Sequence, residues 1–119
     1  MRYWIPLVLT LISATTVWAG ETWPELRGPA GDGRSDATGL PLTWSETENV
    51  IWKTPIHDRG WSSPVIWHDQ IWLTTATADG RQMFAVCVNR ATGAIVHDVR
   101  VFDTEKLDPI AAVNSYASP

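Results

Sequence analysis

Between residues 63 and 102 the sequence alternates short apolar segments with residues that form turns, and no other feature limits the possible fold as strongly. Each segment has the length of a strand and falls short of a typical helix. The segments cover residues 63–67, 70–76, 82–89 and 94–102. The stretches between them contain His68-Asp69, Asp79-Gly80 and Gly93, and such residues favour tight turns. No stretch shows a convincing helical period, so the sequence predicts an all-β fold with its strands in meander order.

The last segment predicts a strand with two different faces, because successive side chains of a strand point to opposite sides of the sheet. One predicted face carries Ile95, His97, Val99 and Val101, and the other carries Val96, Asp98, Arg100 and Phe102. A single sheet of this kind has two faces to cover. It buries them by stacking on neighbouring sheets, so the sequence predicts one unit of a repeat architecture, with a β-propeller as its closed form.

The N-terminal residues predict export. Residues 1–19 have the layout of a secretory signal peptide, with Arg2, an apolar run and a small-residue cleavage site ending at Ala19. The run is too short to cross a bilayer comfortably, and an uncleaved anchor is the alternative. Residues 20–49 are rich in Gly, Pro, Thr and acids and predict a loop-rich lead-in, and residues 50–56 are a further strand candidate. The mature protein is therefore expected to be periplasmic or extracellular and not an integral membrane protein.

Charge and cysteine content exclude some classes of function. The formal net charge is −4 and there is no basic run, which argues against binding to nucleic acid. The one cysteine, Cys87, has no partner in the chain for a disulfide, so packing has to supply the stability. Trp is unusually frequent, with 8 in 119 residues. Such residues either fill a β core, which the strand positions of several favour, or form stacking platforms for a saccharide.

One short phrase of sequence occurs twice. Trp61-Ser62-Ser63-Pro64 returns near the end of the chain as Tyr116-Ala117-Ser118-Pro119, with an aromatic residue, a serine and a proline at matching positions. The recurrence predicts that a second unit of the same repeat begins at this point, and the sequence is expected to be a fragment of a longer repeat protein.

Taken together, these residues resemble a blade of the pyrroloquinoline-quinone (PQQ)-like β-propellers, a group that includes the quinoprotein alcohol dehydrogenases and a propeller subunit of the outer-membrane assembly machinery. The resemblance runs over residues 23–119. The structural repeat motif consists of Trp61, Ser63, Pro64, Asp69, Asp79, Gly80, Thr92 and Gly93. It implies that residues 50–119 hold blade one and the first strand of blade two of a ring of about 4–8 blades.

Three positions depart from the family pattern. Asn89 stands where the turn usually has Asp, and Ala94 stands where Lys is common. His97 replaces a Trp that usually closes the last strand and docks onto a neighbouring blade. First blades are often atypical because they cap or close the ring, so these changes weaken the blade pattern without removing it.

The residues indicate no catalytic constellation. His57, His68 and His97 are too scattered for a metal-site spacing, and Ser62 and Ser63 lack the G-x-S-x-G context of a nucleophile. These serines are expected to bond to backbone where the first strand begins. Cys87 is expected to be a small buried residue. Asp32 and Asp36, around Gly33, favour a surface turn over part of a calcium loop.

The resemblance therefore implies a fold more directly than an activity. The leading hypothesis is an exported, non-catalytic binding or assembly scaffold with an unknown protein or saccharide partner. A quinoprotein-type oxidoreductase with its cofactor site in further blades is one alternative, and PQQ enters only by this resemblance, with no ligand assigned. A carbohydrate-binding module that uses Trp platforms is the other alternative.

Overall fold

A computed structural model describes residues 22–106 and 109–118 of the chain. It contains one open antiparallel sheet of four strands in the order β1-β2-β3-β4, and no helix occurs in the described ranges. The strands are β1 (Val65–Trp67), β2 (Gln70–Ala76), β3 (Gln82–Asn89) and β4 (Ile95–Asp103). The predicted all-β class and meander order are confirmed. The predicted signal peptide of residues 1–19 and the repeat residue Pro119 lie outside the described residues.

The strands β2 and β3 have the bounds predicted from sequence, whereas β1 begins two residues later than predicted. Regular pairing of β1 with β2 starts only at Val65, directly after Pro64. Just before it, the Ser62 hydroxyl accepts from the Thr74 N–H at 3.0 Å and donates to the Thr74 carbonyl at 3.2 Å. The Ser62 hydroxyl thus bonds to backbone just before the first strand, as expected from sequence, whereas the Ser63 hydroxyl makes no hydrogen bond among the described residues.

Two bulges break the alternation predicted for β4. The pairing of β3 with β4 shifts between Met83 and Phe84 and again between Cys87 and Val88. Because each shift adds one residue to β4, Ile95 pairs with Val88 and Phe102 pairs with Met83, on the faces opposite to those predicted. The strict two-residue period from Ile95 to Phe102 is therefore wrong at both ends of the strand and correct only in its middle.

The register separates the side chains of the sheet into two faces. We call one the open face. It carries Trp72, Thr74, Met83, Ala85, Cys87, His97, Val99 and Phe102. The other, the strap face, carries Ile71, Leu73, Thr75, Phe84, Val86, Val88, Asp98 and Arg100. The best buried side chains lie on β2 and β3, in the middle of the sheet, and include Val86 and Cys87, both 0% exposed.

An extended segment, residues 52–58, lies over the strap face, and we call it the strap. Its residues alternate between half-buried Trp52, Thr54 and Ile56 and exposed Lys53 and Pro55. This is the period of a strand, but among the described residues no backbone group of 52–57 pairs with another backbone group. The strand predicted at residues 50–56 is therefore extended as expected but lies on the sheet instead of beside it. Alternation alone does not distinguish these two arrangements.

The lead-in before the strap consists of turns and isolated bridges. Trp23 exchanges two backbone hydrogen bonds with Ile66, both 2.8 Å long, and so covers part of the free edge of β1. Residues 29–51 are exposed. The six tryptophans in the described ranges divide evenly: Trp23, Trp52 and Trp72 are half-buried, whereas Trp44, Trp61 and Trp67 are exposed. The expectation that Trp serves mainly as core therefore holds for half of these six, because no other described segment covers the exposed three.

Candidate functional site

The turn between β2 and β3 carries two of the predicted repeat residues. The Asp79 carboxylate accepts from the Thr77 hydroxyl at 2.6 Å and from the Arg81 N–H at 3.1 Å, and these hydrogen bonds lower the pKa of Asp79. Gly80 has a φ of 72° and lies directly under the ring of Tyr116, where a side chain would collide with the ring. The turn is therefore built to receive an aromatic residue from the second copy of the repeated phrase.

The turn between β3 and β4 is built in the same way. The Asn89 side-chain oxygen accepts from the N–H groups of Ala91 and Thr92, both at 3.0 Å, and from the Thr92 hydroxyl at 3.1 Å. The amide oxygen of Asn89 thus accepts the bonds that organise this turn, as a carboxylate oxygen of Asp could. Gly93 has a φ of 74° and lies under the Trp52 ring, whose Nε1 donates to the Arg90 carbonyl at 2.9 Å.

These two turns share one arrangement. Each has a side-chain oxygen that organises the loop, a glycine in the left-handed region, and an aromatic ring from a distant part of the chain lying on that glycine. Only glycine leaves room for the ring and adopts this backbone conformation at little cost. Trp52 comes from before the sheet and Tyr116 from after it, so the sheet has an aromatic contact to chain on either side of it.

The remaining repeat residues lie near the start of the sheet. The Asp69 carbonyl in the β1–β2 turn accepts from the Arg90 N–H at 2.7 Å, which links this turn to the β3–β4 turn. His68, in the same turn, has a φ of 55°. Trp61 is 59% exposed, and Pro64 is also exposed. The predicted repeat residues thus hold turns and the strand start, and they do not converge on one point.

A cleft of about 350 Å³ lies between the segment around Tyr116 and the end of the sheet where β2 ends and β3 begins, and residues of both faces line it. Its lining combines apolar side chains with hydroxyl groups. The lining residues are Leu26, Ser62, Ser63, Thr74, Thr75, Met83, Phe84, Val101, Phe102, Tyr116, Ala117 and Ser118. None of these side chains carries a charge. The cleft suits apolar packing, and its lining contains no His, Asp, Glu, Lys or Arg.

A charged cluster lies on the strap face. The imidazole of His57 lies between two carboxylates, with Nδ1 2.7 Å from Asp58 and Nε2 3.1 Å from Asp98. Its ring also meets the edge of Phe84 at a centroid distance of 4.8 Å. The hydrogen bonds to Asp58 and then Asp98 raise the pKa of His57 above its ordinary value of 6.5. Both ring nitrogens are occupied, so His57 links two chain segments and is not free to act as a base.

The other residues singled out from sequence have structural surroundings. Cys87 is fully buried, and this burial raises the pKa of its thiol. Asp32 accepts from the Arg34 N–H at 3.0 Å, as an aspartate in a surface turn does. His97 stacks on Trp72 of its own sheet. In the described ranges, no three His, Cys, Asp or Glu side chains come together to hold a metal ion.

Sequence reasoning missed two features. The contact of His57 with Asp98 joins residues 41 positions apart, and neither position carries a local pattern that announces it. The docking of Trp52 onto Gly93 was also not predicted, although a Trp at an inward position of an alternating segment and a Gly in a turn were both visible in the sequence.

The open face exposes apolar side chains in a row along β4. Val99 is 48% exposed and Phe102 is 64% exposed, and β4 as a whole is exposed along its length. Within the part of the chain that the structure describes, no helix has the length and apolar character needed to cross a bilayer. Comparison with models of known protein families gave no match, and comparison with solved structures gave none either. The function therefore has to be argued from the geometry of the sheet itself.

Proposed function

We propose that this chain supplies a blade of an exported PQQ-like β-propeller that acts as a binding or assembly scaffold. The observation that carries the proposal is the way the sheet uses its two faces. The strap covers one face, and the other leaves Val99 and Phe102 in water. A sheet that is apolar on both faces is suited to lie between two other sheets.

The strap supports this proposal because it packs as a strand of a neighbouring sheet would. Its inward side chains, Trp52, Thr54 and Ile56, face the sheet, while its backbone groups have no backbone partners among the described residues. The Thr54 hydroxyl donates to the Gly93 carbonyl, and the Trp52 ring lies on the same glycine. This is a contact between layers, of the docking kind that the PQQ-like resemblance implies between adjacent blades.

A scaffold function fits the chemistry of the described side chains better than catalysis does. Predicted repeat residues such as Asp79 organise turns, the cleft beside Tyr116 has an uncharged lining, and His57 is held between two carboxylates. Export is proposed from the signal-like residues 1–19. The partner of such a scaffold is a protein or a saccharide that contacts the rim or loops of the assembled ring.

The proposal is tested by photo-crosslinking in the exported protein as its host makes it. A photoreactive phenylalanine analogue replaces Val99 on the open face, and a matched variant carries it at Lys53, an outward position of the strap. We expect the Val99 position to crosslink to a β-strand of another sheet with the same repeat pattern. We expect the Lys53 position to give no crosslink to that strand. Absence of any crosslink at Val99 in the folded protein would contradict the blade assignment.

The cleft beside Tyr116 does not fit PQQ. This cofactor carries several carboxylates, whereas the lining of the 350 Å³ cleft contains no Lys or Arg to neutralise them. No redox step is therefore derived for this part of the chain. Turnover of an alcohol or sugar by the whole exported protein with added PQQ would favour the oxidoreductase alternative over the scaffold.

One observation favours the saccharide alternative as a second candidate. Trp44, Trp61 and Trp67 are 72%, 59% and 56% exposed, and exposed indole rings are the surfaces on which sugars stack. Iodide quenching of Trp fluorescence, repeated with soluble oligosaccharides, tests this function. Protection of the quenchable tryptophans by a sugar would support it. Quenching that no sugar changes would exclude these platforms for the sugars examined.

A further inference from the structure

We propose that His57 is a proton-controlled tie, which holds the strap against β4 while both of its ring nitrogens carry protons and lets the end of the strap lift when one proton is lost. The inference concerns the sheet and its strap alone. It stands whether or not the sheet belongs to a propeller.

The geometry of the tie requires two protons. Nδ1 lies 2.7 Å from an Asp58 oxygen and Nε2 lies 3.1 Å from Asp98, and a carboxylate can only accept. The doubly protonated ring donates to both. A neutral ring has one N–H, so its other nitrogen would face a carboxylate with no proton between them. The neutral ring is expected to keep the shorter bond, to its neighbour Asp58, and to lose the bond to β4.

Loss of the hydrogen bond to Asp98 matters because His57 lies near one end of the strap. The other end of the strap is held by Trp52 on Gly93 and by the Thr54 hydroxyl, neither of which titrates near neutral pH. After the tie, Arg59 exchanges two backbone hydrogen bonds with Ala76, 3.1 and 2.7 Å long. Breaking the tie therefore removes the polar side-chain contact between this end of the strap and β4 and leaves the bridge and the contact of the His57 ring with Phe84.

The groups around His57 allow its protonation to control the contact between the strap and β4. The charged groups that face it are Asp58 from the strap and Asp98 and Arg100 from β4, while β3 presents only the uncharged Gln82 and Phe84. The Arg100 guanidinium is engaged with Asp103 at 3.1 Å. His57 is thus the cation that balances the carboxylates beside it, and the side chain is about one-third exposed, so protons exchange with solvent.

The direction of the pH effect follows from the two carboxylates. The hydrogen bonds to Asp58 and then Asp98 raise the pKa of His57 above its ordinary value of 6.5, and lifting the strap removes the part that Asp98 contributes. Because the pKa is higher in the closed state than in the lifted state, protonation stabilises the closed state fully below the lifted-state pKa. That stabilisation is lost as pH rises through the closed-state pKa. The strap is therefore closed in mild acid and opens more often in mild alkali.

The test measures trypsin cleavage after Arg59 in the full chain, from about pH 6 to about pH 9, a range that spans histidine titration. An unstructured peptide with the sequence of residues 52–64 supplies the reference rate at each pH, which removes the pH dependence of trypsin itself. We expect the normalised cleavage rate to rise severalfold with pH. A normalised rate that does not change with pH would overturn the proposal.

Two variants distinguish the effect of His57 from other effects of pH on the cleavage rate. His57→Asn should cleave quickly at every pH, because no titrating group remains between the carboxylates. His68→Asn is the matched control, since His68 lies in an exposed turn with a φ of 55°, a conformation that asparagine tolerates. It should keep the wild-type pH dependence. Loss of that dependence in His68→Asn, or its survival in His57→Asn, would contradict the assignment to His57.

A spectroscopic measurement on the wild type tests the proposal even if the variants fold poorly. The imidazole nitrogen resonances of His57 are followed across the same pH range by NMR. We expect His57 to titrate above 6.5 with the same midpoint as the cleavage. A His57 midpoint at or below 6.5, or one clearly apart from the cleavage midpoint, would show that another group controls the strap.

Discussion

The indole ring of Trp72 and the imidazole ring of His97 stack across the open face, with ring centroids 5.7 Å apart and planes inclined by 11°. The residue between them in the sheet is Cys87, which pairs with Trp72 on one side and with His97 on the other. Partners directly opposite each other share a face, so the two rings lie over the cysteine. His97 thus has an aromatic packing role within its own sheet.

This arrangement predicts that Cys87 is unreactive until the sheet opens. Burial raises the pKa of the thiol and excludes reagents, and both effects slow attack by the thiolate. We expect Trp72→Ala to increase the rate of labelling by a thiol-specific disulfide reagent at least severalfold. Trp67→Ala is the control, because Trp67 is already 56% exposed and lies on β1. Equal labelling rates in the two variants would show that the stack does not protect the cysteine.

The docking of Trp52 onto Gly93 predicts a large effect of a small substitution. Gly93→Ala should lower the free energy of unfolding by about 3 kcal/mol, because alanine disfavours the left-handed backbone and its methyl group would displace the ring. Gly33 has a similar φ of 77° but has open space at its side-chain position. Gly33→Ala should therefore cost only about 1 kcal/mol. Urea denaturation measures both, and equal losses would mean that Trp52 does not dock on Gly93.

The turn at Asn89 predicts different outcomes for two substitutions. Asn89→Asp keeps the oxygen that accepts from Ala91 and Thr92, so its stability should stay within about 0.5 kcal/mol of the wild type. Asn89→Ala removes that acceptor and should cost about 1–2 kcal/mol. Thermal unfolding of the two variants checks the difference. A loss in Asn89→Asp as large as in Asn89→Ala would show that the amide group itself is required.

The buried hydroxyl of Thr75 predicts that removing it by substitution stabilises the protein. Its hydroxyl is buried, on a residue 2% exposed, and has no hydrogen-bond partner among the described residues. Valine has nearly the same shape without the hydroxyl, so Thr75→Val should raise the free energy of unfolding by about 1 kcal/mol. Thr74→Val, at the exposed neighbouring position, should change it little. Destabilisation by Thr75→Val would reveal that the hydroxyl is satisfied in solution.

The elements that could be predicted from sequence are those that local patterns determine. The bounds of β2 and β3 follow from continuous apolar segments ended by Asp-Gly and by Asn89 to Gly93. The bulges of β4 could not be predicted, because the sequence of Ile95 to Phe102 alternates well enough to fit a regular strand. Only the pairing with β3 fixes where the extra residues lie.

The candidate site was predictable in its turns and not in its distant contacts. Predicted repeat residues such as Asp79 and Gly80 act within their own turn. Aspartate and glycine favour turn conformations, so the residue types alone predict the local backbone. The placement of the strap was different, since an alternating segment fits equally well beside a sheet or across it. The His57–Asp98 contact depends on where the strap lies, so it could not be predicted while the position of the strap was unknown.

The central claim is that another sheet covers the open face in the working protein, and hydroxyl-radical footprinting of the protein purified from its host tests it most directly. Phe102, on the open face, is 64% exposed in the sheet alone, and Leu42, in the lead-in, is 96% exposed and serves as the reactive reference. We predict that Phe102 is strongly protected relative to Leu42 and becomes reactive on unfolding. Oxidation of Phe102 in the folded protein at the rate of an exposed phenylalanine would contradict the account.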